Sequence, residues 1–138
     1  MYSKILISGL AMVLSSGVLY AGTPSGFDLE SNMVELNRHM LDLQAAFIRG
    51  DKGKALQAVS ALGAESSKLL ADETVMKKML PKGKEHMVRV AITSARMIEE
   101  DAEIMKNSMD NTRRETAQEA YLGIQRACMR CHNLVRDW

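Results

Sequence analysis

Residues 29–47, LESNMVELNRHMLDLQAAF, set Leu29, Met33, Leu36, Met40, Leu43 and Phe47 at alternating spacings of four and three. Those spacings keep one apolar stripe along a helix of five turns or more. Gly50, just past the stripe, reads as the C′ glycine that ends it. A second helix is expected after Asp51, with Leu56, Val59, Leu62, Ser66 and Leu69 on its inner face and a frayed end around residues 71–74. Its ends are less sharply marked because Gly53 and Gly63 fall within it. The stretch ADETVMKKMLPKGK, residues 71–84, contains Pro81 and Gly83 and reads as the long connection. A third helix carries Met87 or Val88, then Ala91, Ala95, Ile98, Ala102 and Met105 inward. The pattern stops at residues 108–111, and Thr112 with Glu115 forms an S/T-x-x-E capping box. That box opens a fourth helix running through Ala117, Tyr121, Ile124, Cys128, Cys131 and Val135. No segment sustains period-two alternation, and no Asn-Gly or Asp-Gly hairpin signal occurs. The expected fold is all-α. Four amphipathic helices of about 20 residues with mostly short loops are arranged most economically as an antiparallel up-down-up-down four-helix bundle.

At 138 residues the chain is long enough for one domain with a real core and short for two. Eighteen Lys and Arg oppose seventeen Asp and Glu, so no bulk charge grips nucleic acid or an anionic membrane. The start, MYSKILISGLAMVLSSGVLYAG, has one positive charge at Lys4 and an apolar run from Ile5 to Leu19 that gives way to Ala21 and Gly22. It reads as a secretory signal over residues 1–21, short for a bilayer span, and leaves 22–138 as the mature domain. The expected location is the periplasm, with no membrane association after cleavage.

The two cysteines of the chain stand in CMRCHNLVRDW, residues 128–138. On a helix Cys131 lies about 60° from Cys128 on one side and His132 about 40° on the other, so all three leave one face within a turn. This suits c-type haem, with two thioethers tethering the porphyrin edge and an imidazole reaching iron. Three other readings compete. A thioredoxin-type redox pair wants its first cysteine at a helix N-terminus, and here the motif sits near the opposite end. A structural zinc site needs four ligands, and beyond the triplet only His39 and His86 remain, at no finger-like spacing. A disulfide within one turn closes too small a loop to remove much unfolded-state entropy.

The pattern C-M-R-C-H-N-L-V-R closing the last helix resembles the class II cytochromes c, the cytochrome c′ family, whose haem motif ends a four-helix bundle and has a basic residue four after the histidine. Arg136 fills that place. DLESNMVELN, residues 28–37, is similar to the opening of the soluble periplasmic four-helix cytochrome b, whose Met in this segment is an axial ligand, and Met33 matches it. The likeness covers about twenty residues at the two ends. It implies one covalently attached haem c at one end of the bundle, held by Cys128 and Cys131, with His132 as proximal and Met33 as distal iron ligand, and with Arg136 as a propionate contact. Bundle geometry agrees with Met33, which lies about one and a half turns into helix one as His132 lies from the end of helix four. Met40 is about 10 Å deeper. His39 is turned off the stripe and reads as a surface histidine.

With Met33 bound, the iron is six-coordinate and the chain is a periplasmic mono-haem carrier of single electrons between redox partner proteins. Without it, the iron is five-coordinate as in typical cytochromes c′ and takes nitric oxide or carbon monoxide. Many members carry an Arg one turn before the distal residue. Leu29 stands there instead, which favours the carrier. Dimers are frequent in the resembled family, so a homodimer is implied on that ground alone. No general base, nucleophile or substrate pocket is visible, and the chain is not expected to be an enzyme. Arg126 and Arg130 read as a solvated basic surface, the alternative being a face that pairs with propionates or docks an acidic redox partner. Tyr121 and Ile124 are expected to wall the haem crevice, and Phe47 to fill the far end of the bundle.

Overall fold

The computed structural model describes residues 28–136. The signal expected at residues 1–21 and Trp138 lie outside them. The described residues form five α-helices, α1 Leu29–Arg49, α2 Lys52–Leu70, α3 Glu73–Lys78, α4 Val88–Asp110 and α5 Arg114–Arg136, with a 3-10 turn Glu85–Met87 leading into α4. No strand occurs among the described residues.

Local chemistry sets most of these boundaries. Asp28 caps α1 by accepting from the Glu30 amide at 3.1 Å, and Asp51 caps α2 by accepting from Lys54 N at 3.0 Å. Between them Gly50 sits in the left-handed region at φ 70°, donating to Phe47 O, while Asp51 N donates to Ala46 O. This pair of bonds is a Schellman ending with glycine at C′, and it turns the chain from α1 into α2 within two residues.

Two expectations are corrected here. The stretch read as pure connection contains α3, because Asp72 caps it through Thr74 N at 2.7 Å and Met76 anchors it in the core at 1% exposure. Thr112 does not open a capping box. It holds φ 58°, Arg113 N donates to Ser108 O and Thr112 N to Met109 O. Thr112 therefore ends α4 in the same Schellman geometry that Gly50 gives α1, and an N-cap residue needs extended backbone instead.

The long helices pack in sequence, α1 on α2, α2 on α4 and α4 on α5. Asn32 near the start of α1 donates to Glu65 near the end of α2 at 2.6 Å. Ser66 donates to Ala95 O at 2.9 Å, and a Cβ on Gly63 would lie 3.4 Å from Ala102 Cβ, so α2 and α4 approach closely. Lys52 at the start of α2 faces Asp110 at the end of α4 at 3.6 Å. The core between them includes Leu43, Val59, Leu62, Met105 and Ile124, all essentially inaccessible. Each contributes about 1.5–3 kcal/mol of apolar burial.

α1 and α5 are not among the closely packed pairs. The buried seam of α5 runs Ala117, Ala120, Ile124, Ala127, Cys131 and Leu134, so the expected stripe is rotated: Tyr121, Cys128 and Val135 stand at its edge, half-buried. On α1, Met33, Met40 and Phe47 are likewise half-buried, whereas Asn32, Leu36, Leu43 and Ala46 face α2 and the core. α2 has the same kind of revision, with Ala55, Ala58 and Glu65 buried and Leu56 only half so. The inward residues expected of α4 are as read, with Ser94 and Ser108 added.

Candidate cofactor site between α1 and α5

α5 brings the terminal triplet to the edge between core and groove. Cys131 is 9% exposed and belongs to the core, while Cys128 and His132 are half-buried. Both cysteines are free. Burial and the neighbouring Cys128 push the Cys131 thiol up to about 11, and burial raises Cys128 as well. Neither is therefore an activated thiolate of the thioredoxin kind, which needs a lowered value. Desolvation, helped by the charge of Arg136, holds His132 below the usual histidine range. A neutral imidazole is the form that ligates a metal.

A cavity of about 670 Å³ opens beside the triplet, with Met40 contributed by α1 and Gln125, Cys128 and Met129 by α5. Arg126 and Arg130 also line it, together with Leu122 and Asn133. Leu122 and Met129 are 45% and 50% exposed, an apolar surface among exposed arginines. Arg130 reaches back to the Met97 sulfur at 3.9 Å. Arg136 is exposed one turn beyond His132.

The groove is closed at one level, where the Phe47 and Tyr121 rings stack with centroids 6.4 Å apart. Counting from that shared level by helix rise, Met40 lies about 11 Å along α1, His132 about 17 Å along α5 and Met33 about 21 Å along α1. His132 thus falls between the two methionines and somewhat nearer the level of Met33. Met33 packs half-buried against the core, and Met40 is the methionine at the cavity wall. Sequence reasoning set Met40 aside as too deep. Its signal was there, since it shares the Met33 stripe two turns on.

His39 is not a surface residue: its side chain is 13% exposed and lies 3.8 Å from Glu35. Ile124 is fully buried, and Tyr121 walls the groove by stacking on Phe47. Beside Met33, the Asn32 Oδ1 is buried with no partner, although its Nδ2 is engaged by Glu65. Among the described residues no group of three or more His, Cys, Asp or Glu is placed to hold a bare metal ion. No described helix is long and apolar enough to cross a membrane.

The donor types suit a haem of the c type: two free thiols and an imidazole held neutral within one turn of α5, of which Cys128 lines the cavity, and the thioether of Met40 at the cavity wall from α1. Comparison with family models, with curated proteins and with solved structures finds no match for the chain.

Proposed function

We propose that the chain is a periplasmic mono-haem c-type cytochrome that carries single electrons. Its four long helices then form an antiparallel up-down-up-down bundle, with the groove between α1 and α5 as the haem crevice. The observation that carries this reading is the coincidence of two independent features. The C-x-x-C-H triplet lies on the one long-helix neighbour pair that would close the bundle and does not pack closely, and Met40 of α1 borders the same gap.

The bound haem would supply one-electron chemistry at its iron. The protein's part is the rest. Cys128 and Cys131 would hold the group covalently to α5, His132 would offer its neutral imidazole nitrogen to the iron, and Met33 its thioether sulfur. The core residues of α2 and α4 exclude water, and low dielectric together with ligand identity sets the potential. Arg136 lies where it can pair with a carboxylate rim. Leu122 and Met129, ringed by Arg126 and Arg130, form the face on which an acidic redox partner docks, an apolar centre with a charged border that steers encounter.

One observation favours a second reading. Met33 packs toward the core rather than at the cavity wall, and if no side chain of α1 coordinates, the iron is five-coordinate and takes nitric oxide or carbon monoxide. Co-expression with a haem-attachment system tests the common premise. The purified chain is expected to gain the mass of one tetrapyrrole and to give a c-type pyridine haemochrome, lost in Cys131→Ser. A chain that gains no mass ends both readings.

A further inference from the structure

We propose that the outward face of α1 is a self-association surface, on which a second copy of this chain packs its own α1 antiparallel across a two-fold axis at Leu41. Val34, Leu41 and Ile48 are 61%, 57% and 76% exposed and stand seven residues apart. At 100° per residue Val34 and Ile48 fall within about 20° of Leu41. The line they form is opposite the face that Asn32, Leu36, Leu43 and Ala46 turn to the core. Half-buried Ala45 continues it between Leu41 and Ile48. Single exposed apolar residues are ordinary, whereas a continuous apolar line marks a contact surface. Met33 and Met40 lie about 80° and 100° round the helix from Leu41, so a neighbour on this face leaves the groove toward α5 open. The association therefore does not depend on what fills that groove.

Symmetry and charge select a second copy as the occupant. The line is symmetric about Leu41, so under the two-fold Val34 meets Ile48 of the other copy and Leu41 meets Leu41. A seven-residue repeat drifts about 20° per step on a straight helix, and two such helices keep contact by crossing at about 20°. Exposed Asn37 comes within one residue of the level of Gln44 of the other copy, amide beside amide. α1 is acidic at Glu30 and basic at Arg49, both exposed, and neither has an ion-pair partner among the described residues. Antiparallel packing brings Glu30 to within three residues, about 4.5 Å along the axis, of the level of Arg49 of the other copy, twice per dimer. Opposite ends of the two helix dipoles meet there as well. Parallel packing would set Glu30 against Glu30 and Arg49 against Arg49. The other border charges, Glu35, Arg38 and Asp42, are paired within α1 and oppose neither arrangement. One helix face is smaller than the roughly 800 Å² a side of a standard interface, so the dimer is reversible and populated from micromolar concentrations upward.

The purified chain, with whatever group it carries on expression, should be followed by sedimentation velocity from about 1 μM to 1 mM, where a monomer–dimer equilibrium is expected. Leu41→Glu sets two carboxylates face to face on the axis and is expected to raise the dissociation constant about a hundredfold or more. Its circular dichroism should match the parent, because Leu41 is exposed. Glu30→Lys and Arg49→Glu should each raise the constant about tenfold, since two attractive pairs turn repulsive. The two changes combined should return it to within about threefold of the parent. That double variant puts a cation at the N-terminus of α1 and an acid at its C-terminus, the worst case for the helix itself, so its recovery reports pairing between copies. The proposal is overturned by a monomer at every concentration, by a dimer indifferent to Leu41→Glu, or by a double variant no better than the single ones.

Discussion

The rings of Phe47 and Tyr121 lie 4° from parallel with centroids 6.4 Å apart, and their contact joins α1 to α5. This stack fixes the level from which the crevice opens toward Cys128 and His132. Phe47→Ala is expected to lower the urea midpoint by an amount equivalent to about 2 kcal/mol, below the full core value because Phe47 is half-buried. Tyr121→Phe, which loses only the Gln125 hydrogen bond, should be near neutral. A double-mutant cycle between Phe47→Ala and Tyr121→Ala should return a coupling of about 0.5–1.5 kcal/mol; zero coupling would mean the rings do not interact in solution.

Met33 and Met40 make different predictions for the haem-loaded chain. Met33→Ala is expected to abolish the long-wavelength sulfur-to-iron band and give a high-spin ferric spectrum, while Met40→Ala keeps the band. The opposite outcome transfers the ligand role to Met40, the methionine at the cavity wall. If the wild type is already high-spin, the gas-binding reading stands and the carrier reading falls.

Gly123 lies under Asp101 of α4, and a Cβ there would sit 2.7 Å from Asp101 Cγ and closer still to Oδ2. Gly123→Ala gains helix propensity of about 1 kcal/mol but forces the carboxylate or the helices apart, which costs about 1–3 kcal/mol. A net loss of stability is expected, and Gly123→Ala with Asp101→Ala should recover it and exceed the parent. Burial raises the Asp101 carboxyl above its usual range, outweighing Arg126 nearby. Its contribution is therefore fully present in acid below the unfolded value and is lost as pH rises through the folded one. Asp101→Asn should flatten that part of the stability–pH curve; an unchanged slope would sink the assignment.

Thr112 bears the left-handed backbone that Gly50 supplies at the equivalent helix end. For a β-branched residue this conformation costs on the order of 1–2 kcal/mol. Thr112→Gly is expected to raise stability by about 0.5–1 kcal/mol once the freer unfolded chain is counted. Thermal unfolding of the two proteins decides it, and a lowered midpoint in the variant contradicts the assigned geometry.

Arg126 and Arg130 should steer small redox reagents as they would a partner. With the haem-loaded chain, Arg126→Glu with Arg130→Glu is expected to slow reaction with an anionic oxidant such as ferricyanide severalfold and to speed a cationic one. Both effects should shrink as ionic strength rises. Rates indifferent to the charge reversal would move the docking face elsewhere.

The helical class, the Gly50 turn, the inward face of α4 and the cysteine–histidine triplet were legible in the chain, because each depends on spacing within a few residues and on turn chemistry that acts locally. Periodicity gave the direction of each apolar stripe to within about one residue. It could not separate residues buried against a neighbour from residues at the edge of a gap, since Met33, Met40, Tyr121 and Cys128 are as apolar as Leu43 and Ile124. Small residues decide that difference. Ala120, Gly123 and Ala127 let α5 sit deep on α4, and this turns Cys128 outward toward α1 while Cys131 enters the core. Thr112 shows the same limit at a helix end, where a sequence box for starting α5 was overruled by the backbone that ends α4. Local composition determined which segments are helices and which residues carry the donor chemistry; the closeness of one helix pair and the openness of another were set by packing across the whole fold, because burial depends on what stands opposite.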